Sequence, residues 1–292
     1  MNRGTGIDHL VKERIWSESV YADCVSPDGT TGIMLRLCRY PNQSTSWLWA
    51  FAFLPEKIYG YNDHYLPCPD VVSPVEEPDL TYEQTGEAAA IFHRKGSRDV
   101  PLGAHVSVAV KAHRGSQAPH GQGTESMRIK ADLHPRHLPW RMNRYRGEWV
   151  GEVEGTIWIG ESDFKVQGLG HWHEQHQKAP RWQVPFTYIS LRGDDLALIG
   201  SAMEPNDLGH VVGSSDPKKI IKIETDPPAD HRNIRLTLED DSTLEGSIKT
   251  IHRYLVPVYT RRRPGTLVTA RFGEHELSGC LNDWEFSGTD AF

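Results

Sequence analysis

Met127-Arg128-Ile129-Lys130-Ala131-Asp132-Leu133-His134 places an apolar side chain at every odd position and a polar or charged one at every even position. Side chains alternate across a strand with a period of two, so this octet reads as a β-strand with one face in a core and the other in water. The same period recurs on either side of it. Ile33, Leu35 and Leu37 alternate with Met34, Arg36 and Cys38; Trp47, Trp49, Phe51 and Phe53 share one parity, as do Val106, Val108 and Val110. Alternating runs continue over Trp149 to Ile159, Ile234 to Leu238, Leu244 to Ile248 and Leu267 to Phe272. Turn chemistry separates them at Ser26-Pro27-Asp28-Gly29, Tyr40-Pro41-Asn42, Gly193-Asp194-Asp195 and Asp226-Pro227-Pro228. Many short strands punctuated by turns predict an all-β chain built as antiparallel sandwiches or barrels. Large antiparallel sheets tend to close because closure removes exposed edges, and a barrel of about eight strands has room for one small apolar ligand.

Helical signal is sparse. No sustained apolar stripe of helical period is present; Asp8 to Ser19 is expected to form a short helix, and Tyr82 to Phe92, with Glu83, Glu87 and Ala88-Ala89-Ala90, another turn or two. Residues 111–126 are rich in Gly, Ser and His without apolar periodicity, which predicts a mobile lid or binding loop.

The 292 residues fit two domains or one large all-β unit. A net charge of -7 gives no electrostatic case for nucleic acid. The one basic cluster, Arg261-Arg262-Arg263, runs into Pro264-Gly265 and reads as a solvated turn. Cys24, Cys38, Cys68 and Cys280 show no C-x-x-C spacing, which points to a reduced compartment. The first twenty residues carry Arg3, Lys12, Glu13 and Arg14 and no long apolar run, so a cytoplasmic protein with no membrane span is expected. Walker A, Rossmann and G-x-S-x-G signatures are missing, which leaves nucleotide and serine-hydrolase chemistry unsupported.

One segment is dense in groups that move protons: Gly168-Leu169-Gly170-His171-Trp172-His173-Glu174-Gln175-His176-Gln177-Lys178-Ala179-Pro180-Arg181-Trp182. Histidine titrates nearest neutrality, and a neighbouring carboxylate can be tuned toward acid or base work. If residues 164–176 are extended, Trp172, Glu174 and His176 share one face and His171 and His173 the other.

Several short motifs resemble a known family. Ile15-Trp16-Ser17-Glu18-Ser19-Val20-Tyr21, Gly32 to Leu37 followed by Tyr40-Pro41-Asn42, Glu148-Trp149-Val150-Gly151-Glu152-Val153, Phe164 to Gly170, and Gly279-Cys280-Leu281-Asn282-Asp283-Trp284-Glu285 are similar to stretches of the lipocalin-like tandem-barrel proteins. That family includes carotenoid 1,2-hydratases (hydroxyneurosporene synthases) and AttH-like proteins. The resemblance implies two packed lipocalin-like barrels, expected over residues 1–165 and 166–292, a hydrophobic substrate, and cofactor-free hydration, dehydration, isomerisation or cyclisation. Many relatives read Arg-Asp-His-Ser-Trp-Gly or Asp-His-Trp-Gly after the glycines, whereas this chain reads His171-Trp172-His173-Glu174-Gln175-His176. The family's acid and base roles therefore carry over by location only.

On the residues themselves, Glu174 beside Trp172 is expected to be desolvated and thus a general acid, with His176 or His173 as its partner base. Trp172 and Trp182 would line a cavity and face a developing cation. Tyr188, on the parity of Glu174, could orient a substrate hydroxyl, Arg181 could hold a carboxylate or carbonyl, and Glu18 and Glu285 are further site candidates from the resembling motifs. The expected partner is thus a hydrophobic small molecule such as a terpenoid or polyketide-like metabolite, with no cofactor. Three alternatives stand beside this: a carrier without catalysis, histidines acting as hydrogen-bonded struts between the barrels, and a metal enzyme using His171 and His173. The last needs a bulge to bring a third ligand to the same face, and the order His173-Glu174-Gln175-His176 is not the H-E-x-x-H zinc signature.

Overall fold

The computed structural model describes residues 17–68, 78–137, 139–143, 146–177, 185–203, 205–213, 217–258 and 261–284. Regular structure among them is β-strand apart from one 3-10 turn at Pro41–Gln43. The first eleven strands are β1 (Ser17–Val25), β2 (Gly32–Tyr40), β3 (Thr45–Leu54), β4 (Lys57–Pro67), β5 (Thr81–Gln84), β6 (Ala89–Gly96), β7 (Pro101–Arg114), β8 (Glu125–Pro135), β9 (Trp140–Asn143), β10 (Arg146–Ile159) and β11 (Ser162–Gln177). They form one antiparallel sheet in the order β4-β3-β2-β1-β11-β10-β8-β7-β6-β5, with β9 beside β10. Pairing of Tyr59 with Arg114 and of Gly60 with His113 joins β4 to β7, so the sheet wraps round on itself.

The remaining strands are β12 (Phe186–Arg192), β13 (Ala197–Ala202), β14 (Leu208–Val212), β15 (Lys218–Thr225), β16 (His231–Leu238), β17 (Thr243–Val258), β18 (Arg261–Phe272) and β19 (His275–Trp284). They close an eight-stranded antiparallel barrel, β19 pairing back onto β12. The all-β reading holds. Position 165/166 lies inside β11, which pairs with β10 over Ser162–Gln175 and with β1 over Leu169–Gln177; the last strand of the first sheet ends at Gln177 and the barrel starts at Phe186.

Alternation decides which core each residue joins. In β8 the odd residues Met127, Ile129, Ala131 and Leu133 are buried and the even residues exposed. β1 and β2, by contrast, are buried at every position, and β3 at all but the first. Their inner parity, with Val20, Ala22, Leu35, Leu37, Leu48 and Ala50, fills the first sheet. The outer parity, with Tyr21, Met34, Trp47, Trp49, Phe51 and Phe53, packs against Tyr254, Val256, Val258, Leu267, Cys280 and Trp284 of the second barrel. The two units thus meet through outer faces, and the seam between them takes the large aromatics.

Three local expectations are corrected. Residues 17–19 belong to β1, while 8–16 lie outside the described residues. Tyr82 to Phe92 is a strand–turn–strand, because Tyr82, Ala88, Ala90 and Phe92 all gain burial in the first core, and that packing overrides the helix propensity of the alanines. The segment after β7 is tied down rather than free: Ala118 is buried in the seam, Leu255 N–H donates to Ser116 O at 2.7 Å and Gly121 N–H to Asn62 O at 2.9 Å. Among the described residues no helix is long and apolar enough to cross a membrane.

Gly265 sits opposite both Tyr254 and Asn282, and the tyrosine ring lies over its backbone; a Cβ there would come 2.2 Å from Tyr254 Cζ. Gly265→Ala should therefore lower the free energy of unfolding by about 1–3 kcal/mol through overpacking. Denaturant titration checks this: the midpoint falls with an unchanged slope, whereas an unchanged midpoint would mean that the ring swings aside at no cost.

Candidate active site

β11 is the wall that the two candidate sites share. It lies between β1 and β10, with Glu174 across from Val20 and Gly147, and His171 across from Asp23 and Val150. Gly170 lets the strands approach, since a Cβ there would lie 2.4 Å from Asp23 O and 2.3 Å from Val153 Cγ2. The extended reading of 164–176 is what forms, and it divides the histidines as expected: Trp172, Glu174 and His176 point into the first sheet, His171 and His173 into the seam.

The inner group is a closed electrostatic circuit. Arg94 of β6 meets Glu174 Oε1 with its Nε at 2.6 Å, both side chains buried. Trp172 Nε1 donates to the same oxygen at 2.8 Å. The Tyr82 hydroxyl lies 2.6 Å from His176 Nε2 and 3.4 Å from Glu174 Oε2. Burial, with Arg98, Arg39 and Arg94 adding to it, pushes the His176 imidazole down to about 3. The ring is therefore neutral at ordinary pH, and its Nε2 accepts from Tyr82. Burial, and after it the Glu174 carboxylate, raises the Tyr82 phenol well above its usual value, so it keeps its proton. Glu18, across β1 from His176, pairs with Arg39 at 3.3 Å. The structure thus brings Glu18, Trp172, Glu174 and His176 together, but as matched donors and acceptors. Glu174 does not stand as a lone acid beside an indole, because Arg94, eighty residues earlier in the chain, is its counter-ion.

The seam group is built differently. His171 Nε2 lies 3.2 Å from Glu148 Oε2, and Arg146 Nε binds the other carboxylate oxygen. Burial pushes the Glu148 carboxyl upward, but Arg146 and the hydrogen bond to His171 outweigh it and hold it below its ordinary value. An ionised carboxylate only accepts, so His171 Nε2 carries a proton, and in that tautomer Nδ1 is an acceptor. That Nδ1 has no hydrogen-bond partner among the described residues. Around the ring stand Tyr21, His173 and Tyr188, with centroids 5.8, 6.1 and 6.3 Å away. Burial first, then Glu148, raises the Tyr188 phenol well above its usual range. Arg146 lies over the Tyr188 ring, and the hydroxyl has no acceptor among the described residues. Nearby, Tyr21 donates to Asp23 at 2.7 Å, and Asp23 pairs with Arg192 of the second barrel at 2.6 Å.

Several predicted residues move accordingly. Tyr188 belongs with His171 and not with Glu174, since β12 presents its even residues to the seam. Arg263 is no part of a solvated turn: β18 begins at Arg261, and Arg263 is buried. Arg181, Trp182 and Glu285 lie outside the described residues. Sequence reasoning missed Glu148, Arg146, Tyr21 and Arg94 as site residues. The first had a signal, because the two-residue turn Gly160-Glu161 between Ile159 and Ser162 sets a register that brings Glu148 opposite His173. Among the described residues no group of three or more His, Cys, Asp or Glu is placed to hold a metal ion.

The fold, a closed antiparallel barrel packed on a second wrapped sheet, is shared with several solved structures. CghA solved with Sch210972 superposes with a TM-score of 0.62 at 9% identity, covering 94% of this chain and 89% of that one. A protein assigned as AttH from Nitrosomonas europaea gives 0.51 at 13% identity over 94% and 93% of the two chains. Kievitone hydratase from Nectria haematococca gives 0.51 at 8% identity over 93% and 89%. At these identities the likeness is one of fold. No curated protein sequence matches the chain. Residues 7–280 match the domain of unknown function DUF7064, and the chain belongs to that family.

Two outcomes test the inner circuit. Glu174→Gln leaves Arg94 buried without its counter-ion and should cost about 3 kcal/mol of stability in chemical denaturation. The pH effect follows from His176, whose folded value of about 3 lies below the ordinary 6.5. Between those values the unfolded chain binds a proton that the native ring refuses. The contribution is therefore complete above about pH 6.5 and is lost on acidification, at up to about 1.4 kcal/mol per pH unit for one group. Wild type minus His176→Gln, measured as unfolding free energy against pH, should show that slope; parallel curves would contradict the assignment.

Proposed function

We propose that this protein is an acid–base enzyme acting on a hydrophobic small molecule in the seam between its two barrels, without a cofactor, as a hydratase or dehydratase, isomerase or cyclase. The observation that carries this reading is the buried His171, oriented by Glu148 through Nε2, with Nδ1 unengaged and the Tyr188 hydroxyl lacking an acceptor among the described residues. A base and a proton donor with unspent hydrogen-bonding capacity, side by side in an apolar setting, are what proton transfer to and from a bound molecule requires. Trp47, Trp49 and Trp284 supply apolar walls in the same layer.

In this reading His171 Nδ1 takes a proton from a carbon activated by a neighbouring electron-withdrawing group. Tyr188 donates a hydrogen bond to the oxygen on which charge gathers, and Glu148 stabilises the imidazolium that forms. The imidazolium then returns the proton to a different carbon, which isomerises the molecule, or to a hydroxyl that leaves as water, which dehydrates it; hydration is the reverse. Glu174 and His176 hold the wall from the inside. The likeness in fold to a kievitone hydratase, and to CghA solved with Sch210972, supports a small-molecule reaction of this type.

The test is to incubate the purified chain with a metabolite extract in heavy water, with EDTA and no added cofactor, and follow the extract by mass spectrometry. A consumed component should yield an isomer or a hydrated product carrying solvent deuterium, or a product lighter by one water. His171→Gln should lower that conversion by about a hundred- to ten-thousand-fold while the protein remains folded. Recovery of a bound molecule chemically unchanged, from wild type and variant alike, would make the protein a carrier. Full activity in His171→Gln would remove the seam as the reaction site.

A further inference from the structure

Among the described residues, both carboxylates of the seam are already paired. Asp23 is engaged by Arg192, and Glu148 by Arg146 and His171. Two more guanidinium groups converge on the indole of Trp49: Arg36 from β2, its centre 5.0 Å from the ring centroid, and Arg263 reaching over from β18 of the second barrel, at 5.2 Å. Both are buried, Arg263 with 4% of its surface exposed. Arg263 hydrogen-bonds the Tyr254 hydroxyl, which itself donates to Asn282 Oδ1 at 2.7 Å. Its Nη1 has no acceptor among the described residues, and neither has Asn282 Nδ2. Among the described residues Arg263 makes no ion pair either. An indole face attracts a cation but does not replace a counter-ion, and a planar guanidinium pairs best with a planar, delocalised anion.

We infer that Arg263, with Arg36 beside it on Trp49, is the anion-recognising subsite of the seam, and that the substrate is a hydrophobic acid whose carboxylate or enolate binds there. The inference rests on the proposed acid–base reading for its site and adds the substrate class. Such an anion would complete the hydrogen bonding of Arg263 Nη1 and of Asn282 Nδ2, while the apolar body lies along Trp47, Trp284 and Tyr21. Tyr21 connects the subsite to the base, since its ring faces His171 and it packs in the same apolar layer as Tyr254 and Trp49. An acid group anchored at Arg263 would thus direct the body of the molecule toward His171.

Equilibrium dialysis of the full chain against 2-naphthoate and its neutral methyl ester tests this. Wild type should bind the acid at least about tenfold more tightly than the ester, a charge-assisted bidentate contact being the difference. Arg263→Met should abolish that preference by weakening the acid about tenfold and leaving the ester unchanged. Arg263→Lys should keep part of it, and ester binding certifies that each variant is folded. Equal binding of acid and ester by wild type, binding of neither, or an undiminished preference in Arg263→Met would overturn the subsite. In each case His171-dependent turnover can persist, so the acid–base reading stands or falls separately. A retained preference with no conversion of any extract component would instead sink that reading and leave the anion subsite in place.

Discussion

A strand has two faces, and in β1, β2, β3 and the ends of β10 and β11 both must be buried. Everything at the centre of this protein follows from that constraint. In β2 and β3 the face toward the sheet interior carries small and aliphatic side chains, and the face toward the second barrel carries Met34, Trp47, Trp49, Phe51 and Phe53. Polar side chains admitted to either layer are cut off from water and must find partners inside the protein. Chemistry-bearing residues on these strands are therefore sorted by parity before any question of function arises.

The two layers meet that demand in different ways. Inside the first sheet, Arg94 and Arg39 answer Glu174 and Glu18, and Tyr82 answers His176. These groups come from β1, β2, β5, β6 and β11, so the circuit ties together strands distant in sequence, and its ions offset each other. In the seam the pairing is only partly complete. Asp23 and Glu148 are matched, but His171 Nδ1, the Tyr188 hydroxyl proton and Arg263 Nη1 are not matched among the described residues. Buried groups with unused hydrogen-bonding capacity lower stability unless something binds them, which is why the seam, and not the sheet interior, is where a ligand has most to contribute.

Much of this was legible in the residues. The period-two runs mark nearly every strand, and the division of His171 and His173 from Trp172, Glu174 and His176 follows from one extended segment. The value of each face was not legible, because it depends on partners remote in sequence. Arg94 of β6 reaches Glu174 of β11 across the interior of the wrapped sheet, and the β5–β6 hairpin that carries it is hidden by an alanine run that favours helix in isolation. Arg261-Arg262-Arg263 before Pro-Gly has the composition of a solvated turn. Register with β17, Arg263 facing Val256 and Gly265 facing Tyr254, turns it into a buried strand instead. The glycine that suggests a turn in the sequence serves here to seat a tyrosine ring.

A site assembled from the outer faces of two barrels has a mechanical consequence. In the proposed site the base, His171, comes from β11 and its orienting carboxylate from β10, while Tyr188, Arg263 and Asn282 come from the second barrel. Neither barrel holds a complete site, so a small change in how the barrels seat against each other alters the distance between base and donor without disturbing either core. Seam residues can also be exchanged without emptying a core, because the interior clusters of the two units are built from the opposite parity. Chains sharing 8 to 13% of their residues with this one keep the same architecture. A fold whose cores are insulated in this way from its chemistry is free to change what it acts on while keeping the frame that positions it.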